Sequence, residues 1–347
     1  MTTARPANAN AQAQAPGTAR VRMTDVAREA GVARVTVSRV ISDPGSVAPT
    51  TRATVEAAIA RLGFVPNLNA GALASSRSRI VGALVPTLSN AWFADTMDGL
   101  SATLSAAGYQ LLLGQTRYDP QEEERLVDAF IGRRVDAMVL TGTQHAHGVR
   151  ARLQRTGMPV VECWDLSDAP IDTVVGFSNA AAGEAVARHL VARGCRRLAF
   201  IGAREHRSAQ RLQGFGDTAR ALGCGDVHTH LVQPPSSVDD GARGLEALMA
   251  AQPALDGLFC SNDTLALGAL MACRRQGWAV PGRIAVTGFS DLPVAAASVP
   301  ALTTVRIESR ALGERIGGLL QARLQGEPAG AMRVHDVGFR LVVRESA

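Results

Sequence analysis

A short stretch near the start of the chain decides the fold of its first domain. From Met23 to Ile41 the sequence reads MTDVAREAGVARVTVSRVI. Thr24 is predicted to be the N-cap of a first short helix, and Gly31 follows the end of that helix. A second helix, roughly residues 33–41, begins after a turn of three or four residues. Two short helices joined through a glycine turn are typical of a helix-turn-helix.

The second helix has one apolar face and one face suited to DNA. At about 100° per residue, Val37, Val40 and Ile41 fall together and are predicted to face the core. The opposite face carries Val35, Ser38, Arg39 and Ser42, with Arg34 on its flank near the N-terminus. Arginine can hydrogen-bond guanine or phosphate, serine can reach a phosphate, and an exposed valine suits a thymine methyl group. The alternative is an ordinary surface helix with one exposed valine, and the pattern alone leaves both open.

A third helix is predicted from Thr50 to Leu62. Apolar residues recur there at helical spacing, and Gly63 follows the end. Pro66 then interrupts the chain and is well placed in the first turn of a short segment over residues 67–75.

The distribution of charge supports a nucleic-acid partner. Residues 1–79 hold 10 arginines and 4 acidic residues, a net charge of +6. Residues 80–347 hold 26 arginines and 27 acidic residues, a net charge of −1. A basic head on a near-neutral body is typical of a phosphate-binding module attached to another domain.

These residues resemble the head and hinge of the LacI/GalR family of bacterial transcription regulators. The likeness rests on residues 23–41, Thr51-Arg52, Gly63-Phe-Val-Pro-Asn67 and Ala70-Gly-Ala-Leu73-Ala74. The resemblance implies that Thr24 contacts a phosphate. It further implies that operator DNA is contacted by Arg34, Val35, Thr36, Ser38 and Arg39.

The same resemblance implies a hinge helix that forms on DNA and inserts a leucine into the minor groove. The matching residues are Asn67, Ala70 and Leu73. One departure is Ala33, where the family usually places serine. Losing that N-cap oxygen should cost about 1 kcal/mol of helix stability.

From Arg79 onward, short apolar runs alternate with helix-like stretches. Strands are predicted at residues 80–86, 109–113, 135–140, 159–161, 197–202, 256–260 and 284–289. This alternation predicts doubly wound parallel sheets, and its restart near residue 197 predicts two lobes with a ligand cleft at the carboxyl ends of their strands. The resemblance identifies this α/β core as periplasmic-binding-protein-like.

Four parts of the chain are predicted. They are a disordered tail (1–20), an all-α helix-turn-helix domain (21–65), a hinge helix and linker (66–79), and a two-lobed effector-binding and dimerisation core (80–345).

Candidate effector-binding residues directly follow the predicted strands. They are Trp92, Phe93, Glu162, Asp165, Arg211, Asn262 and Asp291. Carboxylates and asparagine bind hydroxyl groups, an aromatic ring covers an apolar sugar face, and arginine offers a fork to a carboxylate or phosphate. By resemblance, Arg211 and Asn262 lie in effector-binding motifs of the family. The family frequently has aspartate where this chain has Ser290.

Within the family, the chain is most similar to gluconate-utilisation repressors. The likeness includes Pro120-Gln-Glu-Glu-Glu-Arg125, Pro159-Val-Val-Glu162 and Val175-Gly-Phe-Ser-Asn179. It implies a sugar-acid effector, gluconate, whose carboxylate would be bound by Arg211, with Arg204 or Arg207 nearby. Another sugar, a sugar phosphate or a purine is the alternative.

Several kinds of chemistry are excluded or disfavoured. All 36 basic residues are arginine, which excludes a Walker A loop and a pyridoxal Schiff base. The five cysteines form no CxxC pair and are predicted to be reduced, buried thiols. The pairs His145/His147 and His228/His230 have a spacing found in some metal sites, but no third ligand cluster accompanies either pair. Solvated loop histidines are therefore predicted, and no cofactor or metal is expected.

Three classes of function compete for this sequence: a ligand-responsive regulator, a sugar-binding transport receptor and an enzyme. A receptor needs a signal peptide, and the first 20 residues contain no apolar segment. An enzyme needs a nucleophile or cofactor motif, and residues 288–291 lack the final glycine of a nucleophile elbow. The sequence therefore predicts a cytoplasmic, nucleoid-associated bacterial regulator without a membrane partner. It would be a homodimer or tetramer on a near-palindromic operator.

Overall fold

The computed structural model describes residues 21–65, 77–327 and 333–347. The chain divides into two compact units between Ser76 and Arg77. The predicted tail and the predicted hinge residues Asn67, Ala70 and Leu73 lie outside the described residues.

The first unit consists of three short helices: α1 (Met23–Ala30), α2 (Arg34–Ser42) and α3 (Pro49–Leu62). Val26, Val37 and Val55 are fully buried between them. Gly31 and Gly63 end α1 and α3 with φ angles of 66° and 61°, left-handed conformations that glycine adopts without a steric penalty. The predicted helix-turn-helix is confirmed.

The start of α1 corrects one expectation. Thr24 is not the N-cap, because α1 begins at Met23 and Arg22 occupies the capping position. The carboxylate of Asp25 accepts the backbone N–H of Arg22 at 2.9 Å, so Asp25 rather than Thr24 provides a side-chain bond at the start of the helix. Ala33 is the N-cap of α2 and, as expected, makes no side-chain capping bond.

The second unit contains two six-stranded sheets, here called the N-lobe and the C-lobe. The N-lobe holds β1 (Ile80–Val85), α4 (Ala91–Ala106), β2 (Gln110–Gln115), α5 (Pro120–Gly132), β3 (Ala137–Thr141), α6 (Val149–Thr156), β4 (Val160–Cys163) and β5 (Thr173–Gly176). The C-lobe holds α7 (Asn179–Ala192), β6 (Leu198–Ala203), α8 (His206–Ala221), β7 (His228–Val232), α9 (Val238–Ala251), β8 (Gly257–Cys260), α10 (Asp263–Gln276), β9 (Ala285–Ser290), α11 (Pro293–Ala297) and β10 (Thr303–Arg306). The chain then returns to the N-lobe for α12 (Ser309–Leu324) and β11 (Val334–Asp336) and ends in the C-lobe with β12 (Arg340–Val342).

The strand order is β11-β5-β4-β3-β1-β2 in the N-lobe and β12-β10-β9-β8-β6-β7 in the C-lobe. All pairings are parallel except β10 with β12. The chain passes between the lobes after β5, after β10 and after β11, so three crossovers join them. Because ligands bind at the carboxyl ends of parallel strands, this topology gives one cleft between the lobes.

Within each lobe, two helices pack closely at a glycine. A Cβ atom at Gly214 of α8 would overlap the carbonyl of Ala180 in α7, and one at Gly313 of α12 would overlap the carbonyl of Thr96 in α4. These two helix pairs therefore pack backbone against backbone.

Candidate functional site

The first unit presents a polar face on α2. Arg34, Val35, Ser38 and Arg39 are exposed, and Thr36 is half-buried. Val35 is 64% exposed, although Val37 and Val40 of the same helix are buried in the core. The helical spacing predicted that Val35 would be exposed. An exposed apolar side chain is available to contact a thymine methyl group. Thr24 is exposed in the first turn of α1.

The two arginines of this face differ from three other arginines of the unit. Arg28, Arg52 and Arg61 pair with acidic side chains, Arg28 with Asp25 at 3.3 Å and Arg61 with Glu29 at 3.2 Å. Arg34 and Arg39 have no carboxylate within salt-bridge distance among the described residues. Their guanidinium groups are thus available to phosphates or base edges.

Replacing Arg39 by alanine is expected to weaken operator binding by about 1–3 kcal/mol, because the variant loses a contact to a base or to a closely bound phosphate. The measurement is a titration of DNA from upstream of the protein's own gene at fixed salt. Arg61→Ala is the matched control, since Arg61 is an exposed arginine paired within the unit. Equal affinity of Arg39→Ala and wild type would remove Arg39 from the interface.

In the second unit, a small cavity of about 30 Å³ lies between the lobes at the carboxyl ends of the strands. We call it the central cavity. The N-lobe contributes Asn90, Trp92, Phe93, Tyr118 and Trp164, and the C-lobe contributes Ala203, Glu205, Arg207, Arg211, Ser236, Ser261, Asn262, Phe289 and Ser290. Four of the predicted effector-binding residues, Trp92, Phe93, Arg211 and Asn262, therefore meet at one cavity.

A cluster of two arginines and one glutamate lies in the C-lobe wall. Glu205 caps α8 and lies 3.2 Å from Arg207 Nη2 and 3.3 Å from Arg211 Nη2. Arg211 also donates from Nη1 to Asn179 Oδ1 at 2.5 Å. Burial lowers the pKa of Arg211 to about 10, so its guanidinium stays charged at neutral pH. The cluster carries one net positive charge into the cavity.

Aromatic rings hold this cluster in place. The guanidinium of Arg211 lies over the ring of Phe289 at 4.2 Å from its centroid, and that of Arg207 lies over Phe93 at 5.5 Å. Such cation–π contacts stabilise a partly desolvated cation. Trp164 packs edge-on against Phe93 at 5.3 Å between ring centroids. The cavity thus combines apolar ring faces with charged groups.

Several polar groups at this cavity lack a protein partner. Arg211 Nε, Ser261 Oγ and Ser290 Oγ are buried without a hydrogen bond to any described residue. Burial raises the pKa of Tyr118 above its ordinary value, so its hydroxyl remains a donor, and the Asn90 amide lies 3.5 Å from it. Buried polar groups without partners are costly, and a polar ligand would satisfy them.

The three predicted carboxylates do not line the central cavity. Glu162 is fully buried and accepts the backbone N–H of Ile171. Asp165 accepts the Thr143 hydroxyl at 2.9 Å. Asp291 lies 2.7 Å from Arg344 Nη1. Each carboxylate is bound by the protein itself.

His145 is not the solvated loop histidine that the sequence predicted. Its side chain is 4% exposed and lies 2.7 Å from Glu123 Oε1 and 3.2 Å from Glu162 Oε1. His228 and His230 belong to the edge strand β7 rather than to a loop. Across residues 21–65, 77–327 and 333–347, no group of three or more His, Cys, Asp or Glu side chains is placed to hold a metal ion.

Four of the five cysteines are buried, as predicted. Cys163, Cys195, Cys260 and Cys273 are buried free thiols, and Cys224 is half-buried. Burial raises the pKa of Cys163 to about 12 and that of Cys195 and Cys273 to about 11, so these thiols are not ionised at neutral pH. They are unsuited to act as nucleophiles.

Sequence reasoning missed Asn90, Tyr118, Glu205, Ser236 and Phe289. Asn90 and Glu205 lie in segments that follow predicted strands, but their residue types alone did not single them out. Tyr118 follows β2 with a φ of 61°, and Ser236 follows the unpredicted strand β7. A search of the residues after β2 would have found Tyr118, whereas Ser236 could not be found because β7 was not predicted.

Comparison with known proteins covers nearly the whole chain. Residues 22–67 match the family described as bacterial regulatory proteins, lacI family, and residues 187–347 match the periplasmic binding protein-like domain. The transcriptional regulator GntR of Pseudomonas aeruginosa is 39% identical over 95% of this chain and 96% of its own length.

Two solved structures extend the comparison. The transcription regulator GntR from Chromobacterium violaceum is 40% identical, with a TM-score of 0.74, over 77% of this chain and 98% of its own. The lac repressor dimer bound to operator and the anti-inducer ONPF is 25% identical, with a TM-score of 0.82, over 94% of this chain and 98% of its own. No helix in the described part of the chain has the length and apolar character needed to span a bilayer.

Proposed function

Because the chain belongs to the lacI family of bacterial regulatory proteins, it is a DNA-binding transcriptional regulator, and we propose that it is a repressor controlled by gluconate. Gluconate would bind in the central cavity and lower the affinity for the operator. Regulation of transcription is not an enzymatic function. Regulators of this family bind operator DNA and small-molecule effectors and are dimeric.

The proposed dimer uses two copies of the α2 face on one near-palindromic operator. Two-fold symmetry of the protein requires two half-sites in the DNA. Exposed Arg34 and Arg39 and exposed Val35 support this face as the reading surface, with Ser38 and Thr36 beside them. Thr24 would contact a phosphate, and Asn67, Ala70 and Leu73 would form the hinge contact. We place this action on DNA in the bacterial cytoplasm.

The observation that carries the proposed ligand is the charge of the central cavity. Arg207 and Arg211 share one carboxylate, that of Glu205, which leaves one positive charge for a ligand. A sugar acid brings one negative charge, whereas a sugar phosphate brings nearly two. The unpartnered hydroxyls of Ser261 and Ser290 and the unpartnered Nε of Arg211 match a chain of hydroxyl groups ending in a carboxylate. The similarity to GntR proteins supports the same choice.

Binding of the effector and binding of the operator would be coupled through the conformation of the second unit. The central cavity is lined by both lobes, so a bound ligand favours one relative position of the lobes. If that position disfavours the DNA-bound form, gluconate weakens operator binding, and operator DNA weakens gluconate binding by the same factor.

The test is operator binding by the purified full-length protein, with and without gluconate, at fixed salt. The DNA is the segment upstream of the protein's own gene, and glucose, which has no carboxylate, is the matched control. Loss of DNA binding with gluconate but not with glucose supports the proposal. If DNA binding is tight and does not change with gluconate, the protein is still a regulator, but gluconate is not its effector. Phosphorylated sugar acids, other sugars and purines would then be tested.

A further inference from the structure

The end of strand β9 has an unusual backbone. Ser290 and Asp291 are consecutive non-glycine residues with φ angles of 114° and 52°. Side chains other than glycine rarely adopt positive φ, and they keep it only where the surrounding structure holds them. Ser290 lines the central cavity, so this strained segment is part of the candidate effector site.

An ion pair holds the strained segment on one side. Arg344 Nη1 lies 2.7 Å from Asp291 Oδ1, and the Asp291 side chain is only 5% exposed. Arg344 is itself fixed, because the same Nη1 donates to the Leu302 carbonyl at 2.8 Å and its backbone N–H donates to Thr303 Oγ1 at 2.9 Å. The arginine thus connects Asp291 to the beginning of the neighbouring strand β10.

A second carboxylate holds the segment on the other side. Asp263, at the start of α10, is fully buried and accepts the backbone N–H of Leu292 at 2.7 Å. It also accepts the Thr304 hydroxyl at 2.6 Å. The segment that follows Ser290 is therefore held at Asp291 by Arg344 and at Leu292 by Asp263.

We propose that Arg344 is a positioning residue of the effector site. Through Asp291 it holds Ser290 in the strained conformation in which the buried, unpartnered hydroxyl of Ser290 is available to the ligand. The identity of the ligand in this inference rests on the proposed function. The backbone strain and the ion pair are independent of which ligand binds.

The first experiment needs no effector. Glycine adopts positive φ freely, so Ser290→Gly removes the strain and is expected to raise the urea midpoint of the wild-type protein. In an Arg344→Gln background the segment can relax, and the gain from Ser290→Gly should be less than half as large. An equal gain in both backgrounds would show that the ion pair does not impose the strain and would overturn the proposal.

The second experiment separates positioning from general stability. Arg344→Gln is expected to weaken gluconate binding, measured by calorimetry, at least tenfold, while operator affinity without gluconate stays within twofold of wild type. Ser290→Ala removes the hydroxyl, so adding Arg344→Gln to it should weaken gluconate binding no further. Arg344→Lys, which keeps the charge, should restore most of the affinity. If the double variant loses gluconate affinity by the product of the two single-variant factors, the role of Arg344 is contradicted.

Two controls keep the outcome decisive. Arg340→Gln removes a more exposed arginine of β12, paired with Glu308 at 3.6 Å, and should change neither gluconate nor operator binding. If Arg344→Gln fails to fold, Asp291→Asn takes its place in both experiments, because asparagine keeps the side-chain shape but not the charge. If wild type does not bind gluconate, the proposed ligand fails, and the urea experiment still decides whether Arg344 holds the strained segment.

Discussion

Replacing His145 by alanine is expected to lower the free energy of unfolding by about 3–5 kcal/mol, the cost of removing one partner from a buried ion pair. The imidazole lies between Glu123 and Glu162, and the Glu162 side chain is fully buried. Without His145, the carboxylates of Glu123 and Glu162 would lose the imidazole that lies between them, and Glu162 is fully buried. The cluster joins α5, the loop after β3 and the strand β4, so its loss would loosen the N-lobe.

Urea unfolding checks this prediction. His147→Ala is the matched control, because His147 is exposed two residues further on and should change stability by less than about 0.5 kcal/mol. The double variant His145→Gln/Glu162→Gln removes a cation and an anion together and should cost less than His145→Ala. Similar effects of His145→Ala and His147→Ala would contradict a structural role of the ion pair.

The same cluster gives the stability of the N-lobe a pH dependence. Burial alone lowers the pKa of His145, but its hydrogen bonds to Glu123 and Glu162 and their charges outweigh burial and raise the pKa to about 9. A raised histidine pKa contributes stability that is fully present below its ordinary value of 6.5 and is lost as the pH rises through about 9. The stability difference between wild type and His145→Ala should therefore narrow as the pH rises from about 6.5 to about 9. A constant difference from pH 7 to pH 10 would show that His145 is neutral in the folded protein.

Replacing Arg211 by alanine should abolish the response to gluconate while operator binding persists. The guanidinium is buried against Phe289 and has an unpartnered Nε at the central cavity. Removing this desolvated, charged binding partner should lower the affinity for gluconate at least 100-fold, which corresponds to about 2.7 kcal/mol. The readout is gluconate binding by calorimetry and release of operator DNA by gluconate.

Arg204→Ala is the matched control for this experiment. Arg204 is an exposed arginine at the end of β6, and it does not line the central cavity. Its replacement should leave gluconate binding within about twofold, as surface substitutions usually do. Arg211→Lys keeps the charge but not the fork and should bind gluconate with intermediate affinity. Retained induction in Arg211→Ala would remove Arg211 from the ligand site.

The sequence predicted most of the sheet because buried parallel strands are continuous apolar runs. Seven strands were found in this way, each within three residues of its observed ends. The missed strands are short or at the sheet edges, where one side of the strand meets solvent and polar residues are tolerated. His228–Val232 carries two histidines and a threonine, and Val334–Asp336 carries a histidine and an aspartate. Their pairing depends on neighbours that are distant in the sequence.

The site was predicted in part for the same reason. Trp92, Phe93, Arg211 and Asn262 could be placed at the cavity because each follows a strand. The partners of Glu162, Asp165 and Asp291 could not be predicted. Asp291 is bound by Arg344, and Glu162 by His145, and neither pair is adjacent in the sequence. Whether a carboxylate faces a ligand or a protein cation depends on packing that residue type does not encode.

The close helix contacts at Gly214 and Gly313 limit how the second unit can move. Because a side chain at either glycine would overlap the facing backbone, we expect each of these two helix pairs to move as a unit. Any change of shape must then be taken up by the three crossovers. The residues that would bind a ligand lie at the strand ends, whereas the change of shape would take place in the crossovers. An engineer could exchange the loops around the cavity to install a new inducer and still retain the original mechanical response.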